Sequence, residues 1–196
     1  MITHTDVCAQ LMQNAIGIIE HDTVPGIVAI ANAANAERII ALKNRDAHKG
    51  FIVLIPTIQA AYTLARTILP ATEAIMHRYW PGPLTVIVEK APTVPDSISG
   101  YRPTIALRCP HHPKLQAILG DVNQPLLSTS ANISGHTGLS QALLDRVDFT
   151  YGNVTLPTDG QPSTLLDGTQ SPPILIRQGS LQMDQSVIGR FNSPDT

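Results

Sequence analysis

An α/β or α+β domain built on a twisted sheet is the fold class that the sequence predicts, and three observations carry it. Short β-branched and aliphatic runs, such as Gly50 to Pro56, Thr85 to Val88 and Thr104 to Leu107, interleave with segments whose apolar residues recur at helical spacing. Pro and Gly punctuate the boundaries, and the alternation follows no strict βαβ period. The chain of 196 residues is 43% hydrophobic and 14% charged, a composition that buries a core and excludes a disordered tail or a coiled coil. Sixteen prolines and 4% aromatics add loops and an aliphatic interior.

The elements follow in order. Thr5 or Asp6 is placed to cap a first helix with Val7, Leu11, Ala15 and Ile16 on its apolar stripe, ended by Gly17. Ile18-Ile19 begins a strand, and Val24 to Ile30 reads as a turn at Pro25-Gly26 followed by an extended piece. Asn35 is a suitable N-cap for a helix from Ala36 to Leu42, which leaves Lys43 and Arg45 at a C-terminus whose carbonyls favour cations. A buried strand at Gly50 to Pro56 precedes helices from Thr57 or Ile58 to Arg66 and from Thr72 to Trp80. Strands are expected at Thr85 to Val88, Thr104 to Leu107, Leu126 to Thr129 and Ile174 to Ile176. His112-Pro113 opens a helix to Leu119, and Leu139 to Val147 forms another. One domain spans 1–196, with a polar, peripheral tail from about 180.

Thirteen basic and fifteen acidic residues give a net charge of −2, which does not advertise nucleic-acid binding, although a local basic patch would be hidden in the sum. No apolar run reaches the ~18 residues of a membrane span, and the first residues lack the pattern of a signal peptide. Cys8 and Cys109 have neither zinc-ligand nor disulfide spacing, and the seven histidines form no HExxH pattern, so a cytoplasmic protein without a metal site is expected.

The densest chemistry lies in Ser128-Thr129-Ser130-Ala131-Asn132-Ile133-Ser134-Gly135, four hydroxyls and a carboxamide in eight residues after an apolar strand. Alternation along an extended chain places Ser128, Ser130 and Asn132 on one side. Lys43 and Arg45 supply a point charge and a bidentate donor, a combination suited to a polyphosphate. Thr104 and Arg108 lie four apart on one strand and share a face. Each feature has a plain alternative: a solvated helix end, a polar loop bonded to its own backbone, or a surface ion pair. Neither GxxxxGK[ST] nor GxGxxG is present, so a nucleotide would be held by side chains in a cavity.

These residues resemble those of a known family. Lys43-x-Arg45 followed by Ser130-x-Asn132 is similar to the signature of the YrdC/TsaC family, the L-threonylcarbamoyladenylate synthases. Trp80 to Thr85, Ala106 to Pro113 and Ser163 to Asp167 extend the resemblance from about Glu20 to Gly179. It implies a YrdC-like α/β fold, a twisted open mixed sheet with flanking helices and a concave, positively charged cavity. It implies ATP binding by Lys43, Arg45, Lys49, Thr104, Asn132, Ser140 and Arg177, and threonine binding by Thr23, Arg108, Ser130 and Ser163. Lys43 and Arg45 would be the catalytic pair. The implied reaction joins L-threonine, bicarbonate and ATP, with Mg²⁺, into L-threonylcarbamoyl-AMP and pyrophosphate. The product would pass to a tRNA threonylcarbamoyl transferase complex that modifies adenosine 37. The longer relatives' extra C-terminal domain is expected to be missing here.

The chain departs from the family's usual pattern around Thr23. Where the family reads Pro-Thr-Asp-Thr-Val-Tyr-Gly-Leu, this sequence reads Glu20-His21-Asp22-Thr23-Val24-Pro25-Gly26-Ile27. Two alternatives stay open: a paralogue that binds RNA or nucleotide without synthase activity, and an enzyme acting on another carbamoyl adenylate.

Overall fold

A computed structural model of the chain describes residues 2–131, 139, 141–155 and 160–189. Among these, ten strands form one mixed sheet: β1 (Gly17–Ile19), β2 (Gly26–Ile30), β3 (Ile52–Leu54), β4 (Ala65–Thr67), β5 (Leu84–Lys90), β6 (Thr104–Arg108), β7 (Leu126–Ser130), β8 (Phe149–Tyr151), β9 (Thr164–Asp167) and β10 (Ile174–Arg177). The spatial order is β10-β9-β5-β6-β3-β7-β2-β1-β8, with β4 also paired to β5. The pairs β1–β8, β3–β6 and β5–β9 are parallel and the others antiparallel.

The flanking α-helices are α1 (His4–Met12), α2 (Ala33–Lys43), α3 (Ile58–Leu64), α4 (Pro70–Tyr79), α5 (Asp96–Ser99), α6 (Pro113–Val122) and α7 (Gln141–Leu144). Strand alternation divides the core between the sheet's two faces. Ile27, Ala29, Val53, Val86, Ile105, Leu107 and Leu127 pack with Ala36 and Ile39 of α2, Ile75 and Met76 of α4 and Ile98 of α5. Val28, Ile30, Leu54 and Leu126 point the other way and pack with Val7 and Leu11 of α1 and Leu115, Ile118, Leu119 and Val122 of α6. Each such buried aliphatic side chain contributes about 1.5–3 kcal/mol.

This second face is only half covered. α1 and α6 lie over one end of the central strands, and the next row of the register carries Ile87, Ala106, Ile52 and Ser128 on the same side. Ile52 touches the edge of that helix-covered cluster, and all four residues of the row line a hollow. An open, concave sheet face flanked by helices is the architecture the resemblance implied.

Helix ends differ from the sequence expectation for identifiable reasons. Thr3, rather than Thr5 or Asp6, caps α1 through a reciprocal box: Asp6 N–H donates to Thr3 Oγ1 at 3.2 Å, and Thr3 N–H to Asp6 Oδ2 at 2.9 Å. The helix stops at Met12 because Asn14 adopts φ 62°, and Gly17 belongs to β1. Asn32 caps α2 by accepting from Asn35 N–H at 2.8 Å, whereas the Asn35 side chain is buried and donates to Ile30 O at 3.0 Å. α4 starts at Pro70, two residues before Thr72, and α7 is shorter than Leu139 to Val147. Strands β4, β8 and β9 are three or four residues long and owe their conformation to their pairing partners. Beyond residue 180, Met183 and Ile188 are buried in the core, so this stretch is not wholly peripheral. No described helix is long and apolar enough to cross a membrane.

Candidate active site

The hollow begins with Arg108, the last residue of β6. The residue is 3% exposed, and its guanidinium is held on three sides. Nη1 donates to Thr23 Oγ1 at 2.9 Å, Nη2 to Asp22 Oδ1 at 2.5 Å, and Nε approaches Gly82 O at 3.4 Å. Burial lowers its pKa, and the adjoining Asp22 carboxylate opposes that shift. Asp22 is itself fixed, because its Oδ2 accepts from His111 N–H at 2.9 Å. A guanidinium has five N–H bonds, so two remain for an anion after these contacts.

Around Arg108 lies a cavity of about 260 Å³ lined by Thr23, Ser128, Ser130, Ser163 and Arg177, with His21 and Val24 beside them. A second cavity of about 220 Å³ adjoins it, lined by Thr104, Ala106, Arg102 and Leu165. Gly50, Ile52 and Arg177 line both. Thr104 and Arg108 do share a sheet face, yet four residues of strand separate them by about 13 Å, so they serve different ends of the hollow. Arg177 Nη2 donates to Ser163 O at 2.9 Å, and Ser163 Oγ shares a 2.8 Å hydrogen bond with Thr85 Oγ1. Gly179 closes this wall: a Cβ there would lie 2.2 Å from Pro162 O.

Lys43 and Arg45 approach from behind β7. Lys43 is the last residue of α2, and Asn44 follows in the left-handed region at φ 47°, which turns the chain so that Arg45 projects the same way. The x of Lys43-x-Arg45 is therefore a helix C-cap. Both cations donate to Thr129 Oγ1, Lys43 at 3.3 Å and Arg45 at 2.9 Å, and Lys43 also donates to Ser130 O. Arg45 further donates to Lys49 O at 2.5 Å and Gly50 O at 3.0 Å, and stacks 4.7 Å over the Phe51 ring. Burial, and then Arg45, pushes the Lys43 ammonium down to about 8. The pair thus reaches the cavity wall through Thr129 and Ser130. The Lys49 side chain is exposed and lines neither cavity. Asn132 and Ser140, with Ser134 and Gly135, fall outside the described residues.

Sequence reasoning missed Thr129 and Asp22. Thr129 sits between Ser128 and Ser130 and was assigned to the opposite side, but at the strand end its hydroxyl gathers both cations. Asp22 is visible in the sequence only as the neighbour of Thr23. Elsewhere, His112 Nδ1 accepts from Leu115 N–H at the start of α6, and Trp80 is core, donating to Leu84 O at 2.7 Å. His4 and Cys8 of α1 and Asp121 of α6 bring ligand-type atoms within 4.8 Å of one another, and the 2.6 Å His4–Asp121 hydrogen bond accounts for that grouping. A wider hollow of about 820 Å³ lies outside α1 and β8, with no comparable convergence of arginines and hydroxyls.

Residues 9–179 match the model of the Sua5, YciO and YrdC family, described as telomere recombination. The chain belongs to this family. It is 35% identical over 179 residues to the threonylcarbamoyl-AMP synthase of Pyrococcus abyssi, covering 87% of this chain and 52% of that protein. It is 36% identical over 142 residues to the threonylcarbamoyl-AMP synthase of Thiobacillus denitrificans, covering 69% and 74% of the two chains. The crystal structure of P. abyssi Sua5 complexed with L-threonine superposes with a TM-score of 0.85 at 27% identity, covering 96% of this chain and 59% of that one. The chain therefore spans about half the length of the first of these relatives.

Within this Sua5/YciO/YrdC domain the departing segment lies at the heart of the cavity. His21 is 8% exposed and packs on the backbone of β2: a Cβ on Gly26 would meet its Cε1 at 2.7 Å and its Nε2 at 3.0 Å. Its Nε2 has no hydrogen-bond partner among the described residues. Burial, followed by Arg108, pushes its pKa to about 3, so the ring is neutral at physiological pH.

Proposed function

We propose that the chain catalyses formation of L-threonylcarbamoyl-AMP and pyrophosphate from L-threonine, bicarbonate and ATP. One observation carries this reading. A buried guanidinium with two N–H bonds to spare lies in a hydroxyl-lined cavity whose wall is backed by a pair of further cations. The first arrangement suits an amino-acid carboxylate, and the second suits phosphates.

In this reading Arg108 binds the threonine carboxylate, and Thr23, Ser130 and Ser163 orient the amino acid. Lys43 and Arg45 neutralise charge on the triphosphate, and Thr104, Asn132, Ser140 and Arg177 hold the nucleotide, with Lys49 near it. The threonine amine takes up bicarbonate with loss of water, and a carbamate oxygen then attacks the α-phosphorus as pyrophosphate leaves. Such a step needs in-line placement and charge neutralisation more than a proton-transfer residue. Mg²⁺ arrives with ATP as part of the substrate. Bound in that way, it would help neutralise the charge on the phosphates beside Lys43 and Arg45. The product is then consumed by a transferase acting on tRNA.

Pyrophosphate release with ATP and bicarbonate, with and without threonine, tests this. Threonine-dependent release is expected. Release that ignores threonine points to another carbamoyl adenylate, and absence of release with RNA binding retained points to a non-synthase relative.

A further inference from the structure

The cavity beside Arg108 is lined by a buried imidazole, His21, that the reaction, as derived above, leaves idle. His21 Nε2 is buried without a hydrogen-bond partner among the described residues, and Ser128 Oγ lies across Gly26 from it, each 3.0 Å from the point where a Cβ on Gly26 would sit. Thr23, two residues on, touches Arg108, so His21 sits within a side chain's reach of whatever the guanidinium binds. The same cavity wall is apolar at Val24 and Ile52. A hydroxyl-bearing carbon with a methyl group matches that lining, polar on one side and aliphatic on the other.

We propose that His21 reads the side-chain hydroxyl of the amino-acid substrate, its Nε2 hydrogen-bonding the threonine β-hydroxyl next to Ser128. This rests on the adenylate-forming reading above. A buried polar atom without a partner is costly, and a ligand that supplies one removes the cost. A ligand lacking the hydroxyl leaves Nε2 unpaired, so the site rejects it. A hydroxyl both donates and accepts, and so serves either tautomer of the neutral ring. The ring's neutrality also keeps a second positive charge away from Arg108, leaving the carboxylate one defined anchor. The contact thus falls on a side chain that this protein carries where the family has a small hydroxyl residue.

The test compares threonine with valine, which keeps the shape and lacks the hydroxyl. With the parent protein, His21→Ala and His21→Gln, pyrophosphate release is measured against each amino acid at fixed ATP and bicarbonate. His21→Ala should lower kcat/KM for threonine by roughly ten- to a hundredfold, leave valine and the KM for ATP nearly unchanged, and so collapse the discrimination. His21→Gln, which retains a side-chain N–H, should recover part of it. An unchanged KM for ATP and an unchanged melting temperature verify that the variants fold. An unchanged threonine-to-valine ratio in His21→Ala overturns the proposal. If the parent turns over neither amino acid, the adenylate reading fails by itself, and calorimetric binding of threonine and valine decides the role of His21. A threonine preference lost in His21→Ala supports it, and equal or undetectable binding of the two amino acids overturns it.

Discussion

At the residue scale the site rests on paired charges whose environments differ. Lys43 is held near a pKa of about 8 by burial and by Arg45. A polyphosphate beside it favours the charged form and raises that value. ATP binding near pH 8 should therefore take up a proton, and affinity should fall as pH rises through about 8. Calorimetry in two buffers of different ionisation heat checks this. The proton uptake should vanish in Lys43→Met. Arg108 is buried and Asp22 is largely shielded beside it, and such a pair broken from one side leaves an uncompensated charge. Asp22→Ala should lower the unfolding free energy by about 3 kcal/mol in urea denaturation. A loss below about 1 kcal/mol would mean that Arg108 does not depend on this partner.

Among the secondary-structure elements, two glycines make a sharp comparison. Gly100 ends α5 at φ 64°, with a would-be Cβ 2.5 Å from His48 O and 2.6 Å from Gly50 N. That contact holds Gly50 at the junction of the two cavities. Gly100→Ala should cost at least about 1 kcal/mol through strain and backbone collision. Gly120 lies on the exposed side of α6 with nothing within 4 Å of its Cβ position. Gly120→Ala should stabilise by about 0.5–1 kcal/mol through helix propensity alone. Opposite shifts in thermal unfolding are the expected result, and a stabilising Gly100→Ala would contradict the close backbone packing.

Across the whole molecule the cavity is assembled from segments far apart in the chain: Thr23 before β2, Arg108 on β6, Ser130 on β7, Ser163 before β9 and Arg177 on β10. A ligand bridging them binds only the folded state. Threonine or ATP at 100 times its dissociation constant should add about 2.7 kcal/mol. For a chain of this length that raises the melting temperature by roughly 5–10 °C. Absence of any shift with either ligand would count against the assembled site.

Much of this was legible in the residues. Strands β5, β6 and β7 announce themselves through β-branched and aliphatic runs, and the motif residues Lys43, Arg45 and Ser130 meet at one wall of the cavity. Those signals are local: propensity, periodicity and short motifs act within a few residues. Strands β4, β8 and β9 carried no such signal, because three or four residues acquire extended form from a neighbour. The gathering of both cations on Thr129, the Asp22 clasp on Arg108 and the unpaired Nε2 of His21 could not be read from the chain. Each depends on which rows of the sheet α1 and α6 cover and which they leave open, and that is decided only when distant strands come into register.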